Sequence, residues 1–303
     1  MHRLIYAVAL LTLSTLLLHI LTVFTARREP CARYNAIRVY VLAATWVPAR
    51  AANAASICAT VVAAPRTYAN GLKEVTCVVT PGVWGAVATE DDMRAFEAEG
   101  LVSFAPLPPP PFWRALVLPR MVSPLLPEFP VNSLADTRNA RRRHMVANTI
   151  GVLRALQNMA RDAAFVDAGS QARTLNVFFE DDADLSAYGS GFAEALLKTS
   201  TRLPCAWDML LLAPPPDLCE RAAKLPWPWH VPPGGLIAPR LSLSRTTALV
   251  FSPQGVRRVL EQMPATNVID LWLRALMRAG RLRVRISCGQ LVGFTEQAAH
   301  QTQ

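Results

Sequence analysis

Residues 175–184 read LNVFFEDDAD, and this stretch predicts a buried strand that ends in a cluster of carboxylates. Four acidic residues within five positions repel one another unless solvent or a cation offsets their charge. Because side chains alternate along a strand, Glu180 and Asp182 are expected on one face. We predict a site for Mn²⁺ or Mg²⁺, with a solvated acidic turn as the alternative. The predicted ligands are Glu180, Asp181, Asp182 and Asp184.

Apolar runs and helical patterns alternate on both sides of this stretch. Strands are predicted at 37–44, 75–79, 102–105, 207–212, 247–251 and 282–287, and helices at 49–62, 88–100, 139–160, 192–198, 252–263 and 267–279. The alternation predicts an α/β fold with a mostly parallel sheet. Ligands of such sheets bind beyond the carboxyl ends of the strands, which is where the acidic stretch is expected.

Composition limits the classes of function. The chain has 303 residues, of which 52% are hydrophobic and 17% charged, so it can bury a large core. Its net charge of +9 includes a dense basic run at residues 138–144, which suits an anionic partner such as a nucleoside diphosphate, with the solvated start of a helix as the commoner alternative. Stacking aromatics are not interleaved with these basic residues, so we predict no nucleic-acid partner. Prolines crowd residues 107–130, which predicts a surface loop or linker.

Residues 4–24 are apolar and carry no formal charge, a length that just suffices to cross a membrane. We predict a signal-anchor, with a cleaved signal peptide as the rival interpretation. The domain prediction is therefore an anchor with its flanks at 1–29, followed by a lumenal domain at 30–303. The arginines that flank the segment, Arg3 on one side and Arg27 and Arg28 on the other, do not decide its orientation.

Six cysteines fit an oxidising lumen, and no pair has the spacing of a zinc site. The interval from Cys205 to Cys219 would suit one disulfide that closes a loop. Buried free thiols are the alternative.

The order of four motifs resembles glycosyltransferase family 25, which includes bacterial lipooligosaccharide and collagen galactosyltransferases. The family shows a strand with Glu-Asp-Asp, a Trp-Asp strand, a strand before Ser-x-x-Gly, and a late Ile-Asp. The matching residues are Glu180-Asp181-Asp182, Trp207-Asp208, residues 246–255 and Ile269-Asp270. The family's Ser-His pair is absent, and only His144 stands in its place.

The resemblance implies a GT-A-like single domain that moves a hexose, such as galactose, from a nucleotide-diphosphate sugar to a glycan or glycoprotein, assisted by a metal. Together with the apolar segment 4–24, it implies a single-pass type II membrane protein of the Golgi or endoplasmic reticulum. Asp270 is the first candidate for the general base and Asp208 the second. A helix cap for Asp270 and a structural hydrogen bond for Asp208 are the alternatives. The candidates for binding the donor are Arg50, Arg141, Arg143 and His144. A non-catalytic binding protein on a degenerate scaffold is the second functional hypothesis.

Overall fold

The computed structural model describes residues 34–63, 72–83, 89–105, 143–164, 173–214, 216–224, 235–237, 246–289 and 291–294. These residues belong to one compact unit, which spans Arg33–Gln303. The proline-rich stretch 107–130 lies outside the described residues.

A seven-stranded sheet forms the centre of this unit. Its strands are β1 (Ala36–Ala43), β2 (Glu74–Pro81), β3 (Thr174–Glu180), β5 (Met209–Leu211), β6 (Leu236–Ile237), β7 (Ala248–Phe251) and β8 (Val284–Ser287). They are arranged in the order β2-β1-β3-β7-β5-β8-β6. Two further short strands, β4 (Ala183–Asp184) and β9 (Gly293–Phe294), pair with each other as a ribbon.

The sheet is mixed, which corrects the predicted GT-A-like domain with a mostly parallel sheet. Among the described strands, β1 pairs in parallel with β2 and β3, and β5 with β8, whereas the other four pairings are antiparallel. The central strand β7 runs opposite to both of its neighbours. All four of its residues are buried and apolar, as in a strand of a parallel sheet. The local sequence therefore does not indicate whether β7 is parallel or antiparallel to its neighbours.

Seven helices cover the two faces of the sheet in the described residues. They are α1 (Pro48–Val62), α2 (Glu90–Ala98), α3 (Arg143–Ala164), α4 (Phe192–Ser200), α5 (Pro216–Ala223), α6 (Pro253–Leu260) and α7 (Ile269–Arg278). One apolar core joins the sheet to α2, α3, α6 and α7, and a second joins it to α1 and α4. Phe178 of β3 lies in the first core and Phe179 in the second, as the alternation of a strand requires.

Disulfides fasten the margins of the sheet. Cys58 of α1 is bonded to Cys77 of β2, and Cys219 of α5 to Cys288, directly after β8. Cys205 is also disulfide-bonded, and the described part of the chain has no free thiol. The predicted Cys205–Cys219 bridge is therefore wrong, because tertiary packing brings Cys219 to a partner 69 residues away. Such bonds are typical of an oxidising compartment.

The predicted signal-anchor, residues 4–24, lies outside the described residues. Across the residues that are described, the structure has no helix with the length and apolar character needed to span a membrane. This finding contradicts the predicted single-pass type II membrane protein of the Golgi or endoplasmic reticulum.

Candidate functional site

The candidate site lies at the edge of the sheet where β1 and β3 end and β7 begins. Glu180, the last residue of β3, is level with Leu42 of β1, and Phe179 is level with Ala248 of β7. The segments that follow β1 and β3 and the segment that precedes β7 therefore meet at one edge. This is the edge that the sequence predicts for the acidic stretch.

Hydrogen bonds from two elements hold the carboxyl group of Glu180. Asn148 of α3 donates to Oε1 at 3.1 Å, and the hydroxyl of Thr246 donates to the same oxygen at 3.0 Å. The hydroxyl of Thr247 donates to Oε2 at 3.2 Å. A carboxylate has about four lone-pair positions, so these bonds leave one open on Oε2. Glu180 is thus oriented by α3 and by the segment before β7.

Burial and neighbouring carboxylates raise the pKa of Glu180. Burial is the main cause that raises its pKa, from an ordinary 4.5 to about 7, and the charge of Asp182 adds to it. The hydrogen bonds from Asn148 and Thr246 oppose this rise, and the charge of Asp270 contributes to it. Acidic side chains from β3 and α7 therefore act on each other within one site.

Asp181 points to the opposite face of the sheet and has a different role. Its carboxylate accepts a hydrogen bond from the backbone N–H of Ala44 at 2.8 Å and one from Nη1 of Arg50 at 3.4 Å. Its backbone carbonyl accepts from the side chain of Asn53. Asp181 is buried, and these contacts attach the end of β1 and the first turns of α1 to the end of β3.

The four predicted metal ligands do not form one centre. Asp184 accepts a hydrogen bond from the N–H of Ser186 at 2.8 Å, and Asp181 is engaged as described above. Within the described residues, no three His, Cys, Asp or Glu side chains are arranged to hold a metal ion. Glu180 and Asp182 remain, and Mg²⁺ commonly takes one or two carboxylates and completes its shell with substrate phosphates and water. Two carboxylates of the four predicted ligands are therefore left, and this pair fits a divalent cation of that kind.

Asp270 lies in the first turn of α7, and its charge contributes to the raised pKa of Glu180. The N-cap of this helix is Val268, so the alternative of Asp270 as a helix cap is wrong. The N–H of Ile269 donates to the hydroxyl of Thr149 at 3.0 Å, and Thr149 follows Asn148 on α3. The start of α7 is therefore fixed against the helix that holds Glu180.

The predicted basic residues are only partly brought to the site. Arg50 is joined to it through Asp181. Arg143 begins α3 and forms an ion pair with Glu90 at 3.8 Å, and the next residue, His144, is exposed. Arg141 lies outside the described residues.

Asp208 lies at the opposite edge of the sheet. It precedes Met209, which is level with Phe251 of β7, and Phe251 is level with Asn176 near the start of β3. Asp208 is fully buried and forms ion pairs with Arg258 at 2.9 Å and Arg283 at 3.1 Å.

Burial raises the pKa of Asp208, but hydrogen bonds and the charge of Arg283 outweigh this and hold it below the ordinary value. Asp208 therefore fits the alternative role of a structural hydrogen-bonding residue, and it lies away from the other candidate site residues.

Three residues of the site were missed from the sequence: Asn148, Thr246 and Thr247. They contact Glu180 across 32 to 67 positions of the chain. No local pattern marks an asparagine in an amphipathic helix as the partner of a distant carboxylate. The Thr-Thr pair directly before an apolar strand was the available signal.

The fold and the site define an α/β domain with an acidic site at the edge of a mixed sheet. No protein-family model matches this chain, and no curated protein matches it significantly. The resemblance to glycosyltransferase family 25 stays a prediction.

The raised pKa of Glu180 predicts a dependence of stability on pH. Between pH 4.5 and about 7 the folded state holds a proton that the unfolded state releases, so stability falls as pH rises. With a chelator present, we expect the free energy of unfolding to decrease by about 3 kcal/mol across this window from this group. Urea titrations of the wild type and of Glu180→Gln, from pH 5 to pH 8, measure the effect. The variant should lack this slope.

The exposed Glu194 of α4 provides the control, because Glu194→Gln should retain the slope of the wild type. An unchanged slope in Glu180→Gln would show that Glu180 does not titrate in this range.

Proposed function

We propose that this protein transfers a hexose, such as galactose, from a nucleoside-diphosphate sugar to a hydroxyl group of a glycan or glycoprotein. The observation that carries the proposal is the grouping of Glu180, Asp182 and Asp270 at one edge of the sheet, with Arg50 attached to the same loop. The order of the motifs in the sequence supports it independently.

The pair of carboxylates formed by Glu180 and Asp182 supports assistance of the transfer by Mn²⁺ or Mg²⁺. Glu180 and Asp182 would hold the cation, and Glu180 has one lone-pair position of Oε2 left for this purpose. When bound, a divalent cation neutralises the negative charge that develops on a leaving diphosphate. The repulsion that raises the pKa of Glu180 would be relieved by such a charge.

Arg50 is suited to bind the diphosphate. A guanidinium group has five N–H donors, and the contact with Asp181 uses Nη1 at a long 3.4 Å. The other donors can form the paired hydrogen bonds that arginine makes with phosphate. Because Asp181 is buried and anchored to Ala44, the arginine is held near the carboxylates before a ligand arrives.

Asp270 is suited to accept the proton of the acceptor hydroxyl. In the transfer, the hydroxyl oxygen bonds to the anomeric carbon while its proton passes to the carboxylate. The bond from the anomeric carbon to the diphosphate oxygen breaks, and the diphosphate leaves with the electron pair. Asp270 is in the first turn of α7, and the start of this helix is fixed against α3 through the hydrogen bond from Ile269 to Thr149.

A thermal-shift screen of the full chain tests the proposal. The ligands are nucleoside diphosphates and their sugars, each with and without Mn²⁺. We expect one nucleotide to raise the melting temperature, more so with Mn²⁺, because a ligand that binds the folded state stabilises it. Asp182→Asn should lose the part of the shift that depends on Mn²⁺.

The matched control is Asp184→Asn, because asparagine can preserve the turn in which Asp184 binds the N–H of Ser186. It should respond as the wild type does. If no nucleotide shifts the wild type, or if Asp182→Asn retains the full Mn²⁺ effect, the proposal is wrong in its substrate or in its cation site.

A non-catalytic nucleotide-binding protein is the second candidate. It is favoured by the engagement of Asp181 and Asp184 in contacts within the protein. Release of nucleoside diphosphate from the stabilising nucleotide sugar discriminates between the two. Binding without any turnover, with and without candidate acceptors, would support the second.

A further inference from the structure

Trp46 is an exposed aromatic side chain close to the candidate site. It lies in the connection between β1 and α1, and 39% of its surface is exposed. The tip of its indole ring, Cη2, lies 3.6 Å from where a Cβ on Gly82 would stand. Gly82 follows β2, and its N–H donates to the carbonyl of Ala43 at 2.7 Å. One edge of the ring therefore lies against the end of β2.

The connection that carries Trp46 is fixed on both sides. Before it, the N–H of Ala44 donates to Asp181. After it, the N–H of Val47 donates to the carbonyl of Ala44 at 2.8 Å, and Arg50 pairs with Asp181. A side chain on a fixed loop loses little conformational freedom when it binds a ligand, which favours affinity.

The order of the strands determines the order in which the site residues lie along the edge of the sheet. Along the edge, the end of β2 with Gly82 comes first, then the end of β1 with Trp46, then the end of β3 with Glu180 and Asp182. Neighbouring strands are about 4.8 Å apart, so this edge spans the scale of a nucleotide. Arg50 is attached to Asp181, which lies between Glu180 and Asp182 in the chain, directly after β3.

A nucleoside-diphosphate sugar has the same order of chemical groups. If the diphosphate lies at Arg50 and the sugar extends toward Asp270, the nucleobase must extend the other way, toward Trp46. Indole is the largest aromatic surface among the side chains, and every nucleobase presents a flat face to it.

We infer that Trp46 is the stacking platform for the nucleobase of the donor, and that Asp181 is a positioning residue that holds this platform and Arg50 in place. This inference rests on the proposed function. It also assigns to Asp181 a role other than that of a metal ligand.

Isothermal titration of the full chain with three probes tests the inference, in the presence of Mn²⁺. The probes are UDP, GDP and inorganic pyrophosphate, which lacks a base. In Trp46→Ala, the affinity for whichever nucleoside diphosphate the wild type prefers should fall about 5-fold to 150-fold, the range for loss of one base–aromatic stack. Its affinity for pyrophosphate should stay within about twofold of that of the wild type. Trp46→Phe should recover most of the nucleotide affinity.

Two further variants separate positioning from stacking. Asp181→Asn keeps the hydrogen bond to Ala44 but weakens the pairing with Arg50, so it should lower the affinity for pyrophosphate as well as for the nucleotide. Val62→Ala, on the exposed far end of α1, is the control and should bind all probes as the wild type does.

The outcomes are distinguishable. If the wild type binds a nucleoside diphosphate and Trp46→Ala binds it equally well, the inference is overturned and the proposed function stands. If Trp46→Ala loses pyrophosphate and nucleotide affinity together, Trp46 supports the loop instead of stacking on a base, which also overturns it. If the wild type binds none of the probes, the proposed function fails and the inference fails with it.

Discussion

Asp270→Asn is expected to lower the rate constant of glycosyl transfer by about 100-fold to 10,000-fold, the range for loss of a general base. The amide cannot accept the proton of the acceptor hydroxyl, whereas binding of the donor at Arg50 and Asp182 does not require Asp270. The loss should therefore fall on kcat, with the KM for the donor little changed. Steady-state kinetics with the nucleotide sugar identified by thermal shift measures both constants.

The control for Asp270→Asn is Glu261→Gln, an exposed carboxylate at the end of α6. It should retain the activity of the wild type. Asp270 also contributes to the raised pKa of Glu180, so its neutralisation should lower that pKa in the metal-free protein. A variant that loses stability and donor binding together, with no selective fall in kcat, would show that Asp270 has a structural role.

Gly255→Ala is expected to destabilise the protein by about 3 kcal/mol or more. A Cβ at this position would stand 1.9 Å from the backbone oxygen of Asp208 and 2.6 Å from its carbonyl carbon. These are backbone atoms beside β5, so they cannot move aside as a flexible side chain does. The first turn of α6 would have to move away from the sheet.

The neighbouring contacts explain why the junction cannot adapt. Ser252 donates from its N–H to the carbonyl of Asp208 at 3.0 Å and from its hydroxyl to the carbonyl of Trp207 at 3.0 Å. The same hydroxyl accepts from the N–H of Gly255 at 2.9 Å, which caps the helix. Moving the helix therefore disturbs a cap and a strand together.

Urea denaturation of Gly255→Ala measures this effect, and Gly191→Ala is the matched control. Gly191 has no atom within 4 Å of its added Cβ and a φ of −81°, so alanine should be tolerated there. A Gly255→Ala protein with the stability of the wild type would mean that α6 packs less closely on Asp208 than the structure shows.

The contacts between the start of α6 and the residues before β5 also give a new interpretation of two motifs that suggested a family. Trp207-Asp208 and Ser252-x-x-Gly255 are in contact with each other, and Asp208 is paired with Arg258 and Arg283 at the edge opposite the candidate site. In this chain, these two motifs pack α6 against the start of β5. The Glu-Asp-Asp and Ile-Asp motifs place residues at the candidate site, and so does the start of the third motif, through Thr246 and Thr247.

Local chemistry was sufficient for several predictions. The helix predicted at 88–100 is confirmed as Glu90–Ala98, and at its start Thr89 and Asp92 exchange hydrogen bonds as a capping box. The buried run of β3 and the position of Glu180 at its end are also confirmed. These features depend on residues a few positions apart, and so does the shared face that lets Asp182 act on Glu180.

Only the tertiary structure decided which distant groups meet. Each of these features depends on segments that are far apart in the chain. They are the antiparallel direction of β7, the Cys219–Cys288 bond, the pairing of Asp208 away from the site, and the hydrogen bond from Asn148 to Glu180. Asp181 shows the contrast within the acidic stretch itself. The sequence by itself determined that Asp181 follows a buried strand beside two other carboxylates. Its pairing with Ala44 and Arg50 followed from the packing of β3 beside β1, because a strand's alternation sets a side chain's face but not what lies on that face.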